Sequence, residues 1–302
     1  MKTPYFIFGL KVLSQIALPA PPVLEAGPDW TADVTIEVGE TPDHLITPSI
    51  SGAGIQAAPG EFLLSVDTVA RYYIRGGRSI TVTPDAKADP ERVLIFLLGS
   101  AFGALLHQRN ILVLHAGAII VNGQGVIFSG DSGVGKSTLT AGFHQRGYPF
   151  LADDVCAIAG VNKKPAVMPG FPRLKLWADV LEKLNTDKDL LKSVRWTQGM
   201  DKYLLPVRQE QKDPVPLKAV FIMASAGADT IDIAALRGME KISPIIANTY
   251  RLGFLNGLGG KEEHFRQCAA VADQTQVYRV TRPEKGFLLE ELMDCLEAKF
   301  RG

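Results

Sequence analysis

At 302 residues the chain exceeds the usual size of one domain, so a main domain with a smaller appendage is the expected organisation. Apolar residues make up 46% and charged residues 21%, a balance that buries a substantial core and excludes a disordered polymer. Lys plus Arg (32) equals Asp plus Glu (32), so no net field draws the chain to nucleic acid or an anionic membrane, and neither is an expected partner.

The N-terminal apolar run, Tyr5 to Leu18, is broken by Gly9, Lys11, Ser14 and Gln15 and ends in prolines, which predicts a strand with a turn rather than a signal peptide. Val34, Ile36 and Val38 alternate with polar residues as in a strand. Arg71 to Ile74 and Ser79 to Val82 flank Arg75-Gly76-Gly77-Arg78, a hairpin with glycines where positive φ is needed. Residues 1–87 are thus expected to form a small β-rich domain, with a role in substrate binding, and Thr83 to Lys87 to link it to a second domain at 88–302. Asp89 as N-cap and Pro90 at the first helical position then open an apolar helix over Val93 to Leu106, ended by His107 to Asn110. That run is shorter than the roughly 20 residues a bilayer requires, so a buried helix is expected.

From His115 onward the pattern becomes strand, turn, strand, glycine loop and helix, the order of a nucleotide-binding α/β core. Ala118 to Val121 and Val126 to Phe128 are joined by Asn122-Gly123, a strong hairpin turn. Ser137 to Gln145 reads as a helix closed by Gly147, and Phe150-Leu151 runs up to Asp153-Asp154. Further elements are a strand at Leu217 to Met223, helices around Pro244 to Leu252 and Phe265 to Ala272, a strand at Val277 to Val280 and a helix from Phe287 to Phe300. Cys156, Cys268 and Cys295 are far apart with no CxxC spacing, so neither disulfides nor a zinc site is expected, and a reducing cytoplasm fits.

Gly130-Asp131-Ser132-Gly133-Val134-Gly135-Lys136-Ser137 matches the P-loop pattern GxxxxGK[ST] in full, between an apolar strand and a helix. Its glycines let successive backbone N–H groups converge on phosphate oxygens, and the helix N-terminus adds a favourable dipole. Lys136 is then expected at the β- and γ-phosphates of ATP, Ser137 at Mg²⁺, and the loop through Thr138 around the nucleotide. Asp153 and Asp154 end the next strand, where such proteins present an acid to magnesium or to the attacking nucleophile. Successive residues point to opposite faces, so the two acids need not share one role, with Asp153 the expected metal ligand. A hydrolase and a kinase both remain compatible with this chemistry. His115, beside Leu114 and Ala116, says little by position alone. Arg173 and Lys175 alternate with Leu174 and Leu176, which puts both cations on one face to grip a phosphate or a peptide carboxylate. Lys202, Arg251, Arg266 and Arg282 are further cationic candidates among which the sequence does not choose.

His115-Ala116-Gly117, the Asn122-Gly123 hairpin, the glycine loop, Arg146-Gly147 and Leu151-Ala152-Asp153-Asp154 together resemble the catalytic core of HPr kinase/phosphorylase over about forty residues. That resemblance implies ATP-dependent phosphorylation of a serine hydroxyl, with Asp154 as general base, His115 orienting the phosphate and Asp154, and Lys136 and Ser137 in their loop roles. The Glu-Ile-Arg-Gly-type signature of the bifunctional enzymes is not found after the aspartates, where Pro169 to Trp177 stands instead. This speaks against phosphorylase activity and against HPr as the acceptor. The opening from Tyr5 to Leu18 and the run Pro172-Arg173-Leu174-Lys175-Leu176-Trp177 are more similar to the HPr-kinase-related enzymes of lasso-peptide biosynthesis, which implies a serine near the C-terminus of a precursor peptide as the acceptor. The expectation is therefore an α/β P-loop kinase with a β-rich N-terminal domain. The rivals are a kinase for a small metabolite such as free serine and an ATP-dependent binding protein that transfers nothing. Oligomeric state, a homo-oligomer included, stays open.

Overall fold

The structure, a computed structural model, describes residues 2–24, 27, 30–184, 192–197, 200–226, 230–283 and 288–301. The chain divides into two compact units, Met1–Val113 with Tyr250–Gln267, and Leu114–Thr249 with Cys268–Gly302.

The first unit is built on an eight-stranded sheet. Its strands are β1 (Thr3–Ile7), β2 (Leu10–Ser14), β3 (Val34–Val38), β4 (Ile50–Gly52), β5 (Ile55–Ala58), β6 (Glu61–Val66), β7 (Ala70–Arg75) and β8 (Ser79–Pro84), in the order β1-β2-β3-β8-β7-β6-β5-β4. β1 and β2 pair antiparallel around Phe8 and Gly9, both at positive φ, which is the strand with a turn expected of the N-terminal run. The alternation read for Val34 to Val38 holds at Val34 and Ile36, which are wholly buried while Thr35 and Glu37 are not, and fails at Val38, which is exposed at the strand's end.

Asp89 caps α1 (Pro90–Phe96) by accepting from the Glu91 amide at 2.9 Å. The helix continues through a π-helical turn at Leu97–Ala101 into α2 (Phe102–Gln108). Taken together, Pro90–Gln108 is 19 residues long and meets the length and hydropathy of a membrane span, yet 72% of its most apolar window is buried within the protein. Burial therefore decides what length alone does not. The expected boundary after Lys87 also differs from the division found, because this helix stays with the β-sheet. The Tyr72 hydroxyl donates to the Val93 carbonyl at 2.8 Å, the Gln108 amide donates to the Ile74 carbonyl at 3.2 Å, and the Gly77 amide donates to Gln108 Oε1 at 2.7 Å. The apolar helix needs a face to cover, and the sheet supplies one.

In the second unit, β9 (Leu112–Val121) and β10 (Gln124–Gly130) form the expected hairpin, with Asn122 at φ 50° and Gly123 at φ 74° as a type I′ turn requires. β9 starts earlier than its apolar core suggests, so His115 lies inside the strand. Then come α3 (Lys136–Gln145), β11 (Phe150–Ala152), β12 (Val155–Val161), β13 (Lys164–Val167), β14 (Arg173–Trp177), α4 (Ala178–Lys183), β15 (Lys192–Thr197) and β16 (Met200–Pro206). β17 (Val215–Ala226), β18 (Asp232–Ala235), α5 (Ile242–Ala247), α6 (Leu255–Leu258), α7 (Lys261–Gln274), β19 (Gln276–Pro283) and α8 (Leu289–Arg301) complete the chain, with α6 and the start of α7 in the first unit. α5 ends at Ala247, short of the expected Leu252, and the expected first residue of the last helix, Phe287, lies outside the described residues.

The main sheet runs β10-β9-β12-β13-β17-β19-β18, and β10 also pairs parallel with β17, which pairs parallel with β19. Three strands thus point the same way side by side, and their C-terminal ends lie together. Phe128, Phe143, Phe221 and Phe300 fill the core behind them, with Phe128 and Phe143 stacked at 5.3 Å. A small sheet, β14-β16-β15, stands beside it.

Candidate active site

The glycine loop leaves the end of β10 and enters α3. Gly130 has φ 147°, and a Cβ there would overlap the Met223 carbonyl of β17, so only glycine lets the chain turn out of the sheet at this point. Gly135, at φ 99°, is the N-cap of α3. Lys136 is buried, and its Nζ donates to the Gly130 carbonyl at 2.9 Å and the Asp131 carbonyl at 2.8 Å, holding the ammonium across the base of the loop.

The loop opens onto a cavity of about 300 Å³. Ser132, Gly133, Val134, Gly135, Lys136, Ser137 and Thr138 line it, whereas Gly130 and Asp131 face Lys136 from behind through their carbonyls. On the opposite wall His115 Nε2 stands 3.3 Å from Asp154 Oδ1, with each side chain about one third exposed. β9 fixes this histidine, whose carbonyl accepts from Ser129 Oγ at 3.0 Å and whose amide donates to Asn248. Asp154 sits in the turn after β11 at φ 69°, a left-handed conformation that costs a non-glycine residue about 1–3 kcal/mol and has to be held by its surroundings.

Asp153 turns the other way. Its Oδ2 accepts from the Lys175 amide at 3.1 Å, while Oδ1 is shut off from solvent and accepts no hydrogen bond. Burial, then the neighbouring Asp154 charge, pushes this carboxyl up to about 6, and the nearby Ser137 hydroxyl acts in the opposite direction. A buried carboxylate oxygen with no donor, beside a serine hydroxyl, fits a divalent cation. Among the described residues no three His, Cys, Asp or Glu side chains are grouped to hold a metal by themselves.

The cations separate clearly. Lys175 lines the cleft and Arg173 does not, although β14 puts both on one face with Leu174 and Leu176 buried on the other. Of the four further candidates, Arg282 lines the cleft, Arg251 and Arg266 belong to the first unit, and Lys202 lies on β16 opposite Trp177. Lys183 was not foreseen and also lines it. Lys136, Lys175, Lys183 and Arg282 face Asp154 and Asp179, a cationic balance suited to an anionic ligand. Trp177, Val180, Ile231 and Leu292 add apolar surface to the lining of the cleft.

Fold and cleft define an α/β protein in which a glycine-rich loop, a lysine and a histidine–aspartate pair share one cavity. No family model matches the chain. It is similar to the HPr kinase/phosphorylase of Treponema pallidum, in each of two strains, at 43% identity over 51 residues. That match covers 17% of this chain and 16% of the length of those relatives. A solved structure, the Hpr(Ser) kinase/phosphatase from Coxiella burnetii, aligns with 63% of this chain and 90% of its own at 13% identity and a TM-score of 0.34.

Proposed function

We propose that the chain is an ATP-dependent kinase that transfers the γ-phosphoryl group of ATP to a serine hydroxyl of a peptide or protein. The observation that carries this reading is the convergence, on one cavity, of the Lys136 loop and the His115–Asp154 pair, two features of opposite chemical task. A P-loop gives the first task its form: backbone N–H groups and Lys136 bind and steady the charge that moves between donor and acceptor oxygens. The apolar lining residues, Trp177 among them, suit a nucleobase, and the loop suits its phosphates.

Asp154 serves the second task. As the acceptor hydroxyl attacks the γ-phosphorus, the O–P bond to the β-phosphate breaks, ADP leaves, and the hydroxyl proton passes to Asp154 Oδ. His115, 3.3 Å from the same carboxylate, orients it and carries a donor toward the phosphate. Ser137 and Asp153 would hold Mg²⁺, which neutralises charge on the β- and γ-phosphates when bound. The finer reading of the acceptor is the C-terminal serine of a lasso-peptide precursor, and it rests on the sequence likeness of residues 5–18 and 172–177. The reading also places the protein in the cytoplasm, with neither nucleic acid nor membrane as partner.

The test incubates the protein with Mg·ATP and either a serine-terminated precursor peptide or free serine, and reads a phosphate-sized mass gain. Asp154→Asn is expected to lower kcat by about 10²–10⁴ while ATP binds as before. A gain on free serine alone moves the assignment to a metabolite kinase. Full transfer by the variant removes Asp154 from the mechanism.

A further inference from the structure

Arg282 is a cation that the reading above does not use. It stands near the C-terminal end of β19, in register with Ser225 of β17, at the end of the sheet from which the glycine loop springs. Its Nε and Nη2 both donate to the carbonyl of Val134, at 3.3 and 3.1 Å, and its Nη1 donates to the Pro283 carbonyl at 3.1 Å. Among the described residues no carboxylate pairs with it. A guanidinium has five N–H groups, so the three used here leave one on each terminal nitrogen, on a side chain that lines the cavity.

The grip on Val134 has a geometric consequence. In a trans peptide unit the C=O and the following N–H point in opposite directions, and no cis peptide bond occurs among the described residues. Holding the Val134 carbonyl against β19 therefore turns the Gly135 N–H away from Arg282. Gly135 permits this orientation with its φ of 99°, and a Cβ on it would already lie 3.9 Å from Arg282 Nη2. Were that peptide unit to flip, a carbonyl oxygen would face the anion where an N–H is needed.

We propose that Arg282 is a positioning residue of the phosphate site. It orients the Val134–Gly135 peptide with a two-pronged hydrogen bond and offers its spare donors to the terminal phosphates of the ligand. The proposal rests on the loop being a phosphate site, and it specifies an arginine because an ammonium cannot make both bonds to one carbonyl while keeping donors for the cavity.

Calorimetric titration of the whole chain with Mg·ATP and, separately, with inorganic tripolyphosphate tests it in wild type, Arg282→Met and Arg282→Lys. Arg282→Met is expected to weaken both ligands by about tenfold or more, the size of one lost charge-assisted hydrogen bond. Arg282→Lys restores less than half of that loss in logarithmic terms if orientation matters. Rescue to wild-type affinity by lysine reduces the role to charge and overturns the positioning claim, as does unchanged binding in Arg282→Met. Thermal melting of each variant within a few degrees of wild type separates a local effect from misfolding, and a lower melting point with normal binding also overturns the proposal. Wild-type binding of tripolyphosphate without ATP removes the nucleotide reading and leaves Arg282 to stand or fall on tripolyphosphate alone, whereas binding of neither ends both.

Discussion

Gly117 shows how tightly the ground beneath the cleft is packed. It lies on β9 two residues after His115, and a Cβ added there would overlap Thr140 Oγ1 of α3, which donates to the Lys136 carbonyl at 3.0 Å. The glycine of the His-Ala-Gly run thus lets the helix that follows the loop sit directly on the strand that carries the histidine. Gly117→Ala is expected to cost about 1–3 kcal/mol through overpacking, and Thr140→Ala to recover part of it in the double variant, measured by urea unfolding. Additive losses would show that the two sites do not touch. His115 and Asp154 were visible as residues in the sequence, yet their pairing was known there only through family likeness. A distance of 3.3 Å between positions 115 and 154 is set by the β9–β11 pairing, not by any local pattern.

The elements most legible in the sequence are those with a local cause. The Asn122-Gly123 turn, the Asp89 cap and the closing of α3 by Gly147 at φ 91° each depend on a few adjacent residues and appear where expected. Elements whose ends depend on distant neighbours were misplaced: β9 reaches back to Leu112, past Ala116 where its pairing with β10 ends, because Leu114 bridges Thr249 and the His115 amide donates to the Asn248 carbonyl, and α5 stops at Ala247. The last helix, α8, packs on α3 through Met293, whose Sδ would lie 2.8 Å from a Cβ at Gly142. Arg146 of the turn after α3 meets Glu290, Asp294 and Glu297 of the same helix. Burial ranks these contacts, since Met293 is 1% exposed and the Asp294 side chain 71%. Met293→Ala is expected to destabilise by about 2–5 kcal/mol and Asp294→Asn by less than about 1 kcal/mol, compared by chemical denaturation. A larger loss from Asp294 would overturn that ranking.

At the scale of the whole molecule, two buried histidines of the first unit contribute a loss of stability in acid. His107 is buried on α2 with its Nε2 at 2.8 Å from the Tyr250 carbonyl, and His264 is buried nearby on α7. Burial lowers both imidazoles below their ordinary 6.5, and the His264 charge lowers His107 further. The unfolded chain therefore binds protons first as pH falls through about 6.5, and stability present above that value is lost toward the lowered folded values. Melting temperatures at pH 7.5 and 5.5 are expected to differ more in wild type than in His107→Gln, and an equal drop in both would remove His107 as a cause. By itself the sequence determined the glycine loop, the turns, the caps and the alternating strands, because each is written in residues within a turn or two of one another. Only the tertiary structure decided that Arg282 reaches the cleft, and where the units divide. Arg282 meets Val134 across 148 positions because β10, β17 and β19 run parallel side by side, and strand order of that kind leaves no trace in the spacing of residues along the chain.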